Sequence, residues 1–167
     1  MFQLNPALWF QAFPPGWSVF FLSMLPITEL RASIPIGIEL YHLPIWQTWI
    51  IAVCGNIAPT IVTLLLMPKI HDWVVKQPFI GGVIKRKLKA AEKQFGENHA
   101  KFGAIALVLF VGIPLPFTGA WTGSLAAFIF NIPFKKSVTL IAVGVCIAAT
   151  IVTLLSVGAG SIFRFFL

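Results

Sequence analysis

Charge is the scarcest feature of this sequence. Only 10% of the residues are charged, and aspartate and glutamate together number five. No charged residue precedes Glu29, and none lies within residues 44–68 or 103–134. A soluble domain has about 25% charged residues, so 58% hydrophobic residues and a mean hydropathy of +0.91 exclude that class. We therefore expect a single-domain, all-α integral membrane protein.

Groups that could carry out catalysis are also few. The two cysteines, Cys54 and Cys146, lie in apolar runs without metal-ligand spacing, which indicates packing residues. His42, His71 and His99 lie near or outside the predicted membrane faces, without the spacing that a phosphatase or a metal enzyme needs. We therefore expect no enzymatic activity, no metal site and no cofactor.

The charge that is present is concentrated in one segment. Residues 69–101 contain eight of the twelve lysines and arginines, against three acidic residues. The positive-inside rule predicts that this segment is cytoplasmic and lies against anionic lipid of the inner membrane. It does not interleave aromatic residues with its basic residues in the pattern of a single-strand-binding groove. Residues 84–95 place apolar side chains on one helical face, which predicts a helix on the membrane surface or a solvated connecting helix.

Prolines and glycines divide the apolar remainder into two kinds of segment. Residues 44–68 and 137–163 are long enough to cross a bilayer. Residues 17–41 are interrupted by two prolines and by charges. Residues 103–134 are too long for one crossing and shorter than the roughly 40 residues that two crossings need. Because their centre is rich in proline and glycine, they predict a hairpin that enters and leaves by the same membrane face.

An internal repeat relates the two halves of the chain. With a shift of 90 residues, ten of the fourteen positions in 52–65 are identical in 142–155, and Pro26 coincides with Pro116. Each repeat is then a re-entrant helical hairpin followed by a transmembrane helix, with the second copy inverted. Corresponding broken segments in two inverted halves point to a transporter's binding site at the membrane midplane. The predicted parts are an interfacial segment 1–16, repeat one 17–67, a basic amphipathic linker 68–101 and repeat two 102–167.

Two short motifs carry a family resemblance. The segment ELRASIPIG at 29–37 and the segment PLPFTGAWTG at 114–123 resemble the two signatures of the small multidrug export family. Phe117 stands where that family usually has glycine. The resemblance implies a distant relation to the DedA superfamily, whose members share paired re-entrant hairpins. It also implies movement of undecaprenyl phosphate or phospholipids across a bacterial membrane with proton coupling.

Glu29 and Arg31 are the principal candidates for a site, because an ionisable residue within a membrane segment costs about 2.5–3.5 kcal/mol. Residues two apart point to different sides of a regular helix, so either the backbone is broken or each side chain has a different partner. Arg31 would clamp an anionic headgroup, and a desolvated Glu29 would take up a proton. The alternative is a structural ion pair that joins the hairpin to the second repeat.

Other polar residues could complete this site. Asn56, in the middle of its span, could donate to substrate or to a hairpin carbonyl, and Glu39 could act nearer a membrane face, where it would otherwise be an interfacial residue in water. The remaining candidates are Thr28, Thr118, Trp121 and Thr122. We expect them to line the same cavity; the alternative for the three threonines is hydrogen bonding to nearby backbone at a broken helix.

The leading functional hypothesis is a transporter or flippase for an amphiphilic anion such as a lipid phosphate, coupled to protons. The alternatives are a proton-driven exporter of cationic drugs and a structural membrane protein that would tolerate loss of Glu29 and Arg31. The expected partners are membrane lipids, the substrate and protons, with a second copy of the chain as a further candidate. We expect no nucleic-acid partner.

Overall fold

The computed structural model describes residues 13–75, 99–115, 118–130 and 132–166, and within these ranges the secondary structure is entirely helical. The predicted linker helix 84–95 and most of the predicted interfacial segment 1–16 lie outside the described residues. The six α-helices are α1 (Pro15–Met24), α2 (Glu29–Pro35), α3 (Ile45–Val75), α4 (His99–Gly112), α5 (Ala120–Ile129) and α6 (Phe134–Phe166). A π-helical turn, Ile36–Leu40, directly follows α2.

Two of these helices are long and apolar enough to cross a membrane. The candidate spans are Ile45–Pro68 and Phe134–Gly158, with mean hydropathies of 2.2 and 2.6. At 24 and 25 residues, both exceed the roughly 20 residues that a hydrocarbon core requires. They coincide with the two predicted crossings, although α3 continues to Val75 and so extends into the predicted linker.

The segments 17–41 and 103–134 are each divided into a pair of short helices, whereas α3 continues through Pro59 and Pro68. Leu25–Thr28 separate α1 from α2, and residues 113–119 separate α4 from α5. At the first break, the backbone N–H of Glu29 donates to the carbonyl of Leu25 at 2.9 Å. Proline favours such breaks because it lacks the donor that an uninterrupted helix uses. The predicted interruptions near Pro26 and in the centre of 103–134 are therefore confirmed. The predicted interruption at Pro35 is wrong, because α2 includes Pro35 and continues directly into the π-helical turn.

Many polar side chains are buried beside the apolar core, and many large apolar side chains are exposed. Polar groups are buried among the helices, including Ser18, Ser23, Ser33, Thr48, Asn56 and Thr60. Large apolar groups point outward from the two long helices, including Ile50, Val62, Leu65, Leu66, Val143, Leu154 and Leu155. An extensive apolar exterior around a core that includes buried polar groups is suited to lipid as its solvent. Together with the span lengths, this identifies a membrane protein.

Glycines allow the close helix contacts that hold this bundle together. A Cβ atom at Gly55 of α3 would lie 2.5 Å from the carbonyl oxygen of Phe20 in α1. A Cβ atom at Gly144 of α6 would lie 2.7 Å from Cβ of Val111 in α4. Small residues at such crossings are typical of membrane helices, because packing replaces the hydrophobic effect as the cause of association. Each broken segment therefore packs its first helix against the long helix that follows it.

Candidate functional site

Glu29 has an unusual backbone conformation at the first break. It is the first residue of α2, and its φ angle is +43°. This left-handed region costs a non-glycine residue about 1–2 kcal/mol. Strain of this kind persists only where the surroundings over-determine the conformation, and it is concentrated at functional sites.

The side chain of Glu29 is buried and faces one cation. Only 4% of the residue is exposed, and its Oε2 lies 3.7 Å from Nη1 of Arg31. Nη2 of Arg31 also donates to Oγ1 of Thr118 at 3.3 Å. Both explanations offered for the two-residue spacing therefore hold: the backbone is distorted at Glu29, and each side chain has a partner in the other half of the chain.

The Glu29 carboxylate occupies the N-terminus of α5. It accepts a hydrogen bond from the backbone N–H of Trp121, in the first turn of that helix. The space it fills is made available by Gly119, because a Cβ atom there would collide with the carboxylate. A negative charge at this end of a helix is favoured by the helix dipole and by the unpaired N–H groups. The carboxylate of the first broken segment thus caps a helix of the second.

Trp121 makes the reciprocal connection. Its indole Nε1 donates to the carbonyl oxygen of Met24 at 3.0 Å, and Met24 is the last residue of α1. This carbonyl is one of those that a helix end leaves without an internal partner. Two contacts therefore join the breaks. The Glu29 carboxylate binds the N-terminus of α5, and the Trp121 indole binds the C-terminus of α1.

The three candidate threonines all bond to local backbone. Thr28 donates to the carbonyl of Leu22 at 2.6 Å, and Thr118 lies 2.8 Å from the carbonyl of Leu115. Oγ1 of Thr122 accepts from the backbone N–H of Gly119 at 2.9 Å. Each threonine thus stabilises a broken helix, and Thr118 additionally accepts from Arg31.

Asn56 lies close to the first break, whereas Glu39 lies away from Glu29 and Arg31. Asn56 is 1% exposed, and its Nδ2 donates to the carbonyl oxygen of Ser23 at 3.3 Å. This carbonyl belongs to α1 in the first broken segment, so the bond is the structural alternative and not a bond to substrate. Glu39 is exposed in the π-helical turn and does not line the cavity described next.

Two spaces adjoin Arg31, and they differ in size and chemistry. A small cavity of about 10 Å³ is lined by Glu29, Leu30, Arg31, Asn56, Val111, Gly119, Ala120, Val145 and Ala148. An open groove of about 390 Å³ is lined by Arg31, Pro35, Pro114, Val152, Leu155 and Ser156. The Arg31 guanidinium is therefore the polar group that the cavity and a largely apolar groove have in common.

Sequence reasoning did not identify several members of this site. Gly119 could have been found, because the 90-residue shift aligns it with Glu29. The hydroxyls of Ser23 and Ser33 lie 2.6 Å apart beside the first break. Ser23 lies outside both motifs, and Ser33 lies within the first but was not identified as a candidate. Within the described residues, no three His, Cys, Asp or Glu side chains meet as metal ligands would.

Comparison with known proteins identifies one related group. The model of a family described as "Putative small multi-drug export protein" matches residues 29–151, well over half of the chain. The match begins at Glu29, directly after the first break, and spans the second break. No curated protein matches the chain, and no solved structure does so.

Proposed function

This chain belongs to the small multi-drug export protein family, and on that premise we propose that it transports an amphiphilic anion across the membrane with proton coupling. The substrate class is a lipid phosphate, and the mode is that of a DedA-like flippase. One observation carries this proposal. The pair formed by the buried Glu29 and the partly exposed Arg31 lies at the junction of the two broken segments, beside an apolar groove.

The groove supports an amphiphile with a negative headgroup. Apolar side chains and prolines form most of its lining, and Arg31 is the charged residue within it. Planar guanidinium groups bind phosphate through paired hydrogen bonds. Leu155, which is 65% exposed, extends the groove onto the apolar exterior. A lipid chain could thus remain in the hydrocarbon region while its phosphate meets Arg31.

We infer a specific membrane topology for this mechanism. The segments α1–α2 and α4–α5 would each enter and leave by one face, while α3 and α6 cross the inner membrane. Irregular backbone at membrane depth is tolerated where it is buried in protein or lines a cavity. Glu29, directly after the first break, and Gly119, at the end of the second, line the small cavity, whereas Ile27 and Leu115 within the breaks are exposed. The single crossing by α3 would invert the second repeat, with the basic linker in the cytoplasm.

Cysteine labelling tests this topology. In a background without Cys54 and Cys146, Lys87→Cys and Lys136→Cys should both react with a membrane-impermeant reagent from the cytoplasmic side only. Arg164→Cys, beyond the second crossing, should react only from the opposite side. Labelling of positions 87 and 136 from opposite sides would show that α4–α5 crosses the membrane and is not re-entrant.

In the proposed mechanism, Arg31 exchanges one anion for another. Burying a guanidinium without a counter-charge is costly, so Glu29 neutralises Arg31 when no substrate is bound. An arriving phosphate takes over Arg31, and Glu29 is then free to bind a proton. Because these are the two charged groups at the cavity, substrate and proton binding are coupled without a third charge.

Transport by reconstituted protein at two pH values tests this mechanism. Glu29→Gln should abolish the pH dependence of lipid-phosphate movement and retain part of the substrate binding. Arg31→Ala should weaken binding of the anionic lipid by about tenfold or more, because it removes a charge-assisted contact.

Glu39→Gln provides the matched comparison, since it neutralises a carboxylate that is exposed and does not line the cavity. If Glu39→Gln removed the pH dependence and Glu29→Gln kept it, the coupling group would lie at the membrane face and the mechanism would be wrong.

The family description favours a second candidate, proton-driven export of small cationic drugs. For a cation, Glu29 would provide the attraction and Arg31 would oppose binding. Arg31→Ala should then improve transport, whereas the lipid-phosphate proposal expects a loss. Absence of both transport activities from the wild type, with folding unaffected by Glu29→Gln and Arg31→Ala, would indicate a structural membrane protein.

A further inference from the structure

Asn56 presents a buried acceptor that no described protein group satisfies. Its Nδ2 donates to Ser23, but Oδ1 has no hydrogen-bond partner among the described residues. The residue is 1% exposed. Buried side-chain oxygens without a donor are rare in folded proteins, so each one indicates a missing partner.

The same cavity contains a second acceptor. Asn56 and Glu29 both line the space of about 10 Å³, and an ionised carboxylate, like an amide oxygen, can only accept hydrogen bonds. The two oxygens therefore cannot satisfy one another directly. The space is close to that of one water molecule, which needs about 10–15 Å³ measured in this way. A single occupant with two donors fits both the volume and the chemistry.

A monovalent metal cation fits this cavity less well. The other lining side chains from α4 and α6 are Val111, Val145 and Ala148, which offer no oxygen ligands. Arg31, on the same helix as Glu29, is the one charged group among the described residues that faces the carboxylate. Its positive charge would oppose a second cation. Water carries no such penalty.

We propose that one water molecule binds between Oδ1 of Asn56 and the carboxylate of Glu29, and that Asn56 is thereby a positioning residue for the titration of Glu29. This inference rests on the proposed role of Glu29 as the proton-coupling group. When Glu29 is ionised, the water donates one hydrogen bond to each oxygen. When Glu29 is protonated, its O–H donates to the water, which still donates to Asn56. The water thus has satisfied partners in both states.

Infrared difference spectra of the full-length protein in nanodiscs, recorded between two pH values, test the proposal. The wild type should show a water O–H band that shifts when H₂¹⁸O replaces H₂¹⁶O. It should also show a carboxylic-acid band that Glu29→Gln removes. The water band should disappear in Asn56→Leu, which removes the acceptor and fills the cavity.

The pH midpoint of the Glu29 band should also respond to Asn56. A hydrogen bond to an ionised group is about twice as strong as one to a neutral group, so the water favours the carboxylate. Its loss in Asn56→Leu should move the midpoint upward by about one pH unit. Thr60→Val is the matched control, because Thr60 is buried one turn further along α3 and bonds to a backbone carbonyl. It should leave both bands unchanged.

The outcomes separate this inference from the proposed function. A water band that persists in Asn56→Leu, or an unchanged midpoint, overturns the role of Asn56 even if transport is proton-coupled. A Glu29 band that responds to NaCl but not to choline chloride at fixed pH indicates a cation site, which also overturns it. If Asn56→Leu does not fold, Asn56→Ala and the isotope shift in the wild type decide the question. A confirmed water with no lipid-phosphate transport leaves this inference intact and rejects the proposed function.

Discussion

Gly119→Ala is expected to inactivate the protein and destabilise it by about 2 kcal/mol. The φ angle at Gly119 is −166°, which any residue adopts, so the effect comes from volume and not from backbone strain. An added Cβ would take the space of the Glu29 carboxylate. The carboxylate would leave the N–H of Trp121 and move relative to Arg31, so transport should fall by about tenfold or more. Thermal unfolding in detergent and transport by reconstituted protein measure the two effects.

A double substitution isolates the cause of that loss. In a Glu29→Ala background the carboxylate is absent, so adding Gly119→Ala should cost less than about 0.5 kcal/mol, a large departure from additivity. Gly158→Ala is the matched control, because a Cβ there meets no atom within 4 Å. An equal cost of Gly119→Ala in both backgrounds would show that Glu29 does not fill this space.

Gly55→Ala should have the second large effect, a loss of about 2–3 kcal/mol. The new Cβ would meet the Phe20 carbonyl oxygen at 2.5 Å and Cβ of Ser23 at 2.9 Å. The first of these atoms is backbone within α1, so relief requires the helices α1 and α3 to separate. That movement would also lengthen the bond from Asn56 to the Ser23 carbonyl, now 3.3 Å. Unfolding in detergent measures the loss, and the pH dependence of transport should weaken with it.

The neighbouring Cys54→Ala is the appropriate control for Gly55→Ala. Cys54 is exposed on the outer side of α3, so its truncation changes no contact between α1 and α3. It should alter stability by less than about 0.5 kcal/mol. Equal losses of stability in Gly55→Ala and Cys54→Ala would mean that α1 and α3 are not in close contact at Gly55.

The large features of this fold were predictable because they follow from composition and chain length. Uncharged runs of sufficient length give α3 and α6, and a proline in each remaining segment interrupts its helix. Glu29 and Arg31 were identifiable as a pair because charge within an apolar segment is costly. The inverted arrangement of the two repeats stays a prediction until the labelling experiment is done.

The details of the site depend on contacts between distant residues, and local patterns do not contain them. Nothing near Glu29 in the sequence indicates a left-handed backbone, and the bond from Trp121 to Met24 joins residues 97 positions apart. The threonines illustrate the same difficulty. A hydroxyl beside a broken helix can face a cavity or bond to a carbonyl, and only the final geometry selects between them.

The carboxylate of Glu29 at the start of α5 has a consequence for motion. A helix of ten residues is only marginally stable by itself, so its first turn depends on the group that satisfies its N–H donors. Neutralising that group weakens its hydrogen bond to Trp121 and its attraction to the helix dipole. Protonation of Glu29 would therefore loosen the first turn of α5, close to the groove that Arg31 lines. Deprotonation would stabilise that turn again. On the proposed mechanism, a change of one charge at Glu29 would thus change the local order of the helix next to the substrate groove.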